Sequence, residues 1–185
     1  VPVSNLPLAA KALAMVLFTL RGTPFVYEGE ELGYANMALP DIGDYDDISS
    51  HGQYALALEE GFTPAQALSF IQYFSRDNAR TPMQWNDQAN AGFTTGTPWL
   101  PVHADYAQCT AAAEAEDSQS VLSWYQQLAA LRRKEPVLLE GTYRALLSEH
   151  KDLLAFERCG LKQTLRILVN FTEKQVPLNA VRVRH

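Results

Sequence analysis

Residues 6–20, LPLAAKALAMVLFTL, constrain the fold more than any other stretch of the chain. Their apolar side chains cover every face of a helix, which is the pattern of a helix buried inside a larger protein. Asn5 is placed to cap this helix, Pro7 suits its first turn, and Gly22 suits its end. The run is too short to span a membrane. It has no initiator Met, basic leader or cleavage signature, so it is not a signal peptide. Such a helix needs cover on all sides, and the chain is expected to be cut from a longer one.

The next segment, GTPFVYEGEELG at residues 22–33, holds a short β-favouring run at Phe25, Val26 and Tyr27. Glu28 and Gly29 end that run, and Glu30 and Glu31 follow. A buried helix feeding a short strand is half of an α/β unit. In a parallel barrel the loops after the strand ends carry the site, whereas most acidic loop residues only cap the next helix.

ALPDIGDYDDISS, residues 38–50, is acidic, with Asp41, Asp44, Asp46 and Asp47. It lacks the alternating acids, central Gly and closing Glu of a calcium loop. The expectation is a solvated loop, partly paired with nearby arginines, and no metal. Thr63 and Pro64 then open a helix through Phe74.

That helix delivers the chain into SRDNARTPMQW, residues 75–85, which neither a helix nor a strand would favour. Arg76 and Arg80 bracket Asp77 and Asn78, with Pro82 and Trp85 close behind. The segment is either a stiff polar junction or a small site for a ligand rich in hydroxyl groups. From Asn86 to about Asp117 the chain reads as a long loop containing NAGFTTGTPWLPV, and loops of that length usually carry function. Helical order returns with Val121, Trp124, Tyr125, Leu128 and Leu131, capped by Ser118 or Ser120. Arg132, Arg133 and Lys134 complement the dipole at its end, and Pro136 stops it.

Beyond Pro136, VLLEGTYRALL, DLLAFERCG and TLRILVNFT read as three strands. A boundary is therefore expected near Pro136, with α/β architecture over residues 1–135 and an antiparallel β domain over 136–185. Three strands make a poor independent sheet, so the second domain is expected to be truncated.

The chain of 185 residues is 47% hydrophobic and 19% charged, which is enough to bury a core and unlike a disordered segment. Its formal net charge of −6 argues against nonspecific binding to nucleic acid or to anionic membrane. The only cysteines, Cys109 and Cys159, lie far apart without CxxC spacing. They offer neither a disulfide framework nor a zinc site, and a reducing cytoplasm is the expected compartment.

GTPFVYEGEELG, DYDDI, SRDNARTPMQW, NAGFTTGTPW, WYQQLAALRR and ILVNFT occur in an order and spacing that resemble the oligo-1,6-glucosidase branch of the α-amylase family. The branch includes oligo-1,6-glucosidases, dextran glucosidases, related α-glucosidases, sucrose isomerases and trehalose-6-phosphate hydrolases. The resemblance implies the last part of a (β/α)8 barrel followed by the start of an antiparallel β-sandwich domain. It further implies a retaining α-glucosidase acting on short α-glucosides, α-1,6-linked oligosaccharides first, without a cofactor. Retaining enzymes use two carboxyl groups ~5 Å apart. The family's catalytic carboxylates belong to motifs that precede Val1, so the chain alone is expected to be inactive.

By motif position, Arg76 resembles the family's sugar-pocket arginine, with Asp77, Asn78 and Arg80 as its supporting shell. A purely structural ion pair in the loop is the bland alternative for Arg76. Ser49 stands where many α-1,6-acting relatives carry a Glu that contacts the leaving-group sugar, so it marks a possible leaving-group subsite and leaves linkage open. Glu28 stands where most relatives have Gln. The resemblance leaves trehalose-6-phosphate hydrolase and sucrose isomerase as alternatives. A third is the family's non-catalytic relative, the heavy chain of amino-acid transporters. The expected partner is an oligosaccharide in the complete enzyme. The isolated chain is expected to self-associate or to need the missing amino-terminal part.

Overall fold

Helix α1 runs Leu6–Thr19 and stops before Gly22. In this computed structural model, which describes residues 5–104, 106–146 and 150–177, two arginines from distant segments fix that end. Arg132 Nη1 donates to the carbonyls of Phe18 (2.6 Å) and Leu20 (3.1 Å), and its Nη2 donates to that of Gly22. Arg158 Nη1 donates to the Thr19 carbonyl at 2.8 Å, and its Nη2 donates to that of Gly141 at 2.8 Å. The last carbonyls of a helix lack intrahelical donors and carry partial negative charge, so two buried guanidiniums satisfy and neutralise them together. Asn5, expected to cap the other end, makes no cap bond and donates to Glu173 instead.

The chain divides into two compact units, one drawn from the chain up to Gly33 and from Asp117 on, the other running Tyr34–Glu116. In the first, Ala14 and Phe18 of α1 pack on Val121, Tyr125 and Leu128 of the helix Val121–Lys134. Phe18 meets Tyr125 edge to face, with ring centroids 5.6 Å apart. Ser120 caps that helix by accepting from the Ser123 N–H.

Three antiparallel strands follow in the order β1 (Thr142–Leu146), β2 (Leu153–Cys159) and β3 (Thr164–Asn170). One sheet face, with Leu154, Phe156, Ile167 and Val169, packs on Ala12, Met15 and Val16 of α1. On the other face the register sets Arg144 opposite Glu157 and Glu157 opposite Arg166. Both arginines hold the buried Glu157 carboxylate, Arg166 at 2.9 and 3.0 Å. Those bonds keep its carboxyl below the usual range against the opposing effect of burial.

Two expectations in this unit are corrected. VLLEG is not the start of a strand but a short helix, Pro136–Glu140, with Val137 and Leu138 buried. Pro136 supplies a helix-ready first position. Gly141 then lets the chain turn where a Cβ would sit 2.3 Å from the Val137 carbonyl oxygen. The β-favouring run Phe25–Tyr27 forms no strand among the described residues and its side chains are exposed. Extended backbone needs a neighbouring strand for its N–H and C=O groups, and no strand pairs with it among the described residues. Glu30 and Glu31 close the turn that follows, accepting from the backbone N–H groups of Tyr27 and Gly29. The boundary expected near Pro136 falls within this unit, between its long helix and its sheet.

The second unit is built on α2 (Ile48–Glu59) and α3 (Pro64–Phe74). Met37, Leu39, Tyr45 and Ile71 form its core with Ile42, Tyr54 and Leu68. Thr63 and Gln66 make a reciprocal capping box at the start of α3, as the Thr-Pro signal suggested. Helix α2 replaces part of the expected acidic loop, and a short helix at Ala111–Glu116 interrupts the expected long one. Between them, Asn90 and Ala91 take left-handed backbone conformations (φ 54° and 55°). That turn aims the Ala91 carbonyl at the N–H groups of Trp85 and Asn86.

Candidate sugar-binding site

The polar motif at 75–85 begins where α3 ends. Ser75 closes α3 and caps a 3₁₀ turn, Arg76–Ala79, by accepting from the Asp77 N–H at 3.2 Å. The turn sends Arg76 and Asp77 in different directions, so one reaches solvent and the other the interior.

Asp77 is buried, and its carboxylate organises the neighbouring chain. Oδ2 accepts the N–H groups of Asp46 and Asp47, each at 2.8 Å, and Oδ1 accepts Arg80 Nη1 at 3.1 Å. Asn78 ties two further segments, accepting from the Met37 N–H at 3.2 Å and donating to the Gln72 carbonyl at 3.1 Å. Asp77, Asn78 and Arg80 thus brace the loop.

Held this way, Asp47 becomes the N-cap of α2, its Oδ1 accepting from the Ser49 N–H at 3.3 Å. Its side chain is 3% exposed and meets the fork of Arg76 squarely. Arg76 Nε donates to Oδ2 at 3.1 Å and Nη2 to Oδ1 at 2.5 Å. Nη2 also donates to Ser49 Oγ at 2.9 Å. Charge-assisted bidentate contact of this kind fixes direction as well as distance. Ser50 Oγ bonds Ser75 Oγ at 2.9 Å, locking the first turn of α2 to the start of the polar motif.

The Arg76 bond is the largest reason that the Asp47 carboxyl is pulled down to about 2, outweighing the upward push of burial. Asp47 is therefore an anion at any neutral pH. The Arg76 side chain remains 59% exposed, and its Nη1 has no protein partner among the described residues. The outcome is a guanidinium anchored on one edge by a buried carboxylate, with donors on the other edge free to meet a ligand.

The structure thus brings together Arg76, Asp77, Arg80 and Ser49 as one network, and places Asn78 at its back. Sequence reasoning missed Asp47 as the anchor. An Asp directly before a helix start was the available signal, but Gly52 inside α2 weakens the helical pattern by about 1 kcal/mol relative to Ala. Among the described residues no group of three or more His, Cys, Asp or Glu is arranged to hold a metal ion. No helix is long and apolar enough to cross a membrane, again among the described residues.

Residues 4–141 match the α-amylase family, by its catalytic domain. The oligo-1,6-glucosidase of Parageobacillus thermoglucosidasius is 41% identical over 167 residues, covering 90% of this chain and 30% of the relative. The trehalose-6-phosphate hydrolase of Escherichia coli (strain K12) is 40% identical over 176 residues, covering 95% of this chain and 32% of the relative. Among solved structures, the trehalulose synthase from Pseudomonas mesoacidophila MX-45 superposes with a TM-score of 0.86 at 43% identity, covering 90% of this chain and 30% of that one. The Bacillus licheniformis trehalose-6-phosphate hydrolase superposes with a TM-score of 0.88 at 37% identity, covering 95% and 32%. The chain therefore spans about 30% of the length of the relatives it matches.

Proposed function

The chain belongs to the α-amylase family, and we propose that it forms part of a retaining α-glucosidase that hydrolyses short α-glucosides. In this reading residues 1–135 complete a catalytic barrel and 136–185 begin its carboxyl-terminal β domain. The observation that carries the proposal is the half-used guanidinium of Arg76, held by buried Asp47 with donors left over for sugar hydroxyls. A planar fork can serve a carboxylate and a sugar oxygen at once. Asp77, Asn78 and Arg80 hold that fork in place, and Ser49 lines the position next to it.

The chain's own acids do not perform the cleavage in this account. Asp47, Asp77 and Glu157 are the buried ones among the described residues, and each is bound by arginine. Arginine bonds hold the Asp47 and Glu157 carboxyls below their ordinary range, which makes both poor proton donors. The nucleophile and the acid/base are supplied by a longer protein, for which a cytoplasmic location fits a chain whose only cysteines, Cys109 and Cys159, lie far apart without CxxC spacing. Exposed Leu8, Leu13 and Phe25 are apolar surface for the rest of that protein to cover, or to drive self-association without it.

The substrate within the branch is α-1,6-linked oligosaccharide in the first reading. Ser49, in place of an acidic residue, supports a second reading with sucrose or trehalose 6-phosphate. The test is an assay of the purified chain, and of the full-length protein containing it, on p-nitrophenyl α-glucoside, isomaltose, sucrose and trehalose 6-phosphate. The proposal expects turnover only by the longer protein, with isomaltose preferred. Turnover that copurifies with the chain alone, or an inert full-length protein, contradicts it. The latter outcome would fit a non-catalytic relative.

A further inference from the structure

We propose that the outer flank of α3 is a stacking surface for the distal rings of an oligosaccharide, extending the site at Arg76; the inference rests on the carbohydrate reading above. Phe70, Tyr73 and Phe74 stand at i, i+3 and i+4, so they share one flank of the helix. Ala67 and Ile71 of the same helix are buried. Phe62, just before the helix, meets Phe70 edge to face with centroids 5.3 Å apart, and Tyr73 meets Phe74 in the same manner at 4.7 Å. All four rings face solvent, Phe62 at 44%, Phe70 at 41%, Tyr73 at 71% and Phe74 at 70% exposure. Single exposed aromatics are ordinary, but four in a continuous strip point to something that covers them.

Charge selects the occupant. Helix α3, PAQALSFIQYF, contains no charged residue in its 11 positions. The rings on α3 carry no charge among them and suit a neutral ligand with apolar ring faces and outward hydroxyls, as in an α-linked glucan. The acids nearest in sequence, exposed Glu59 and Glu60 ahead of Phe62, disfavour a phosphate, a nucleic acid or an anionic membrane.

Continuity with the candidate site gives the second argument. The strip ends at Phe74, and the next residue, Ser75, caps the turn that carries Arg76. Ser75 is bonded to Ser50 in the first turn of α2, whose cap Asp47 and neighbour Ser49 hold the Arg76 guanidinium. A saccharide gripped at Arg76 thus has an aromatic track beginning two residues away in sequence. The rings would hold distal sugars without selecting the linkage being cut.

The test uses the full-length protein that contains this chain, with its catalytic carboxylates replaced by amides, titrated with glucose and with linear isomalto-oligosaccharides of increasing length and followed by saturation-transfer NMR and calorimetry. With α3 unaltered it should bind longer saccharides more tightly than glucose. The variant carrying Tyr73→Ala and Phe74→Ala should lose roughly tenfold of that gain and leave glucose unaffected. Phe74→Leu, which keeps apolar area without a ring face, should lose part of the same gain. Arg76→Gln should weaken all the saccharides alike; if it does not, the Arg76 reading fails, whatever the strip does. A length-dependent gain that survives the double alanine variant overturns the stacking surface and leaves the Arg76 reading intact. Absence of any gain with α3 unaltered overturns it too. So does light scattering that shows the double variant separating copies of the protein, since the strip would then be a protein contact.

Discussion

Arg76 and Asp47, 29 residues apart in the chain, meet through two side-by-side hydrogen bonds of 3.1 and 2.5 Å. One partner is buried and the other is largely in water. An ordinary surface pair of this kind contributes little, because solvent screens both charges. Here the buried carboxylate also caps α2 and receives the support of Asp77, so the pair sets the direction of a guanidinium rather than simply adding stability.

This geometry gives a pH dependence with a definite sign. The Asp47 carboxyl lies at about 2 in the folded chain against an ordinary 3.8. The unfolded chain therefore binds a proton first as pH falls, and the folded state loses its advantage. Comparing Asp47→Asn with the wild type in urea at several pH values isolates the effect, since Asn can still cap the helix. The wild-type advantage should be complete above roughly pH 5 and should shrink as pH falls toward 2. An advantage that is constant over this range would mean that Asp47 titrates normally. Glu157, lowered by Arg144 and Arg166, should add a loss of the same sign in the wild type and the variant alike.

Arg158→Met tests the clamp at the end of α1. The change removes donors from the Thr19 and Gly141 carbonyls and leaves both without that partner. A charged hydrogen bond contributes about 1.5–3 kcal/mol, and the freed carbonyls add to the loss unless water reaches them. A fall of about 2–4 kcal/mol in the stability of the unit containing α1 is expected by urea denaturation. A loss below about 0.5 kcal/mol would show that Arg132 alone suffices to end the helix.

Ser49→Glu tests the neighbouring subsite. Its Oγ now accepts from Arg76 Nη2, so a carboxylate there would lie beside the guanidinium and next to the proposed leaving-group position. In the full-length enzyme the ratio of kcat/KM for α-1,6 over α-1,4 substrates should rise, with an aryl glucoside nearly unaffected. Equal changes on all three substrates would remove Ser49 from the specificity account.

Much of this was legible in the sequence because the signals were local. Thr63-Pro64 marked the start of α3, which runs to Phe74, and the runs DLLAFERCG and TLRILVNFT contain β2 and β3. Arg76 stood out by its polar context. What stayed hidden depended on distant partners. The end of α1 is set by Arg132 and Arg158, over a hundred residues away, and not by Gly22. Asp47 read as one acid among four until Asp77 and Arg76 singled it out. Of the run VLLEGTYRALL, Thr142–Leu146 forms β1 as expected, but Pro136 and the burial of Val137 and Leu138 favoured one turn of helix over extended chain before it.

The most direct test of the central claim is kcat/KM of Arg76→Ala and Arg76→Lys in the full-length enzyme, on isomaltose and p-nitrophenyl α-glucoside. Loss of one charged hydrogen-bonding group facing the sugar should cost about 1.5–3 kcal/mol, or roughly ten- to 150-fold on both substrates. Freeing the buried Asp47 carboxylate should deepen it. Arg76→Lys should recover little, since an ammonium group cannot hold Asp47 on one edge and a hydroxyl on the other. If Arg76→Ala folds normally and keeps near-wild-type kcat/KM, Arg76 is a brace for the loop and the sugar-binding account is contradicted.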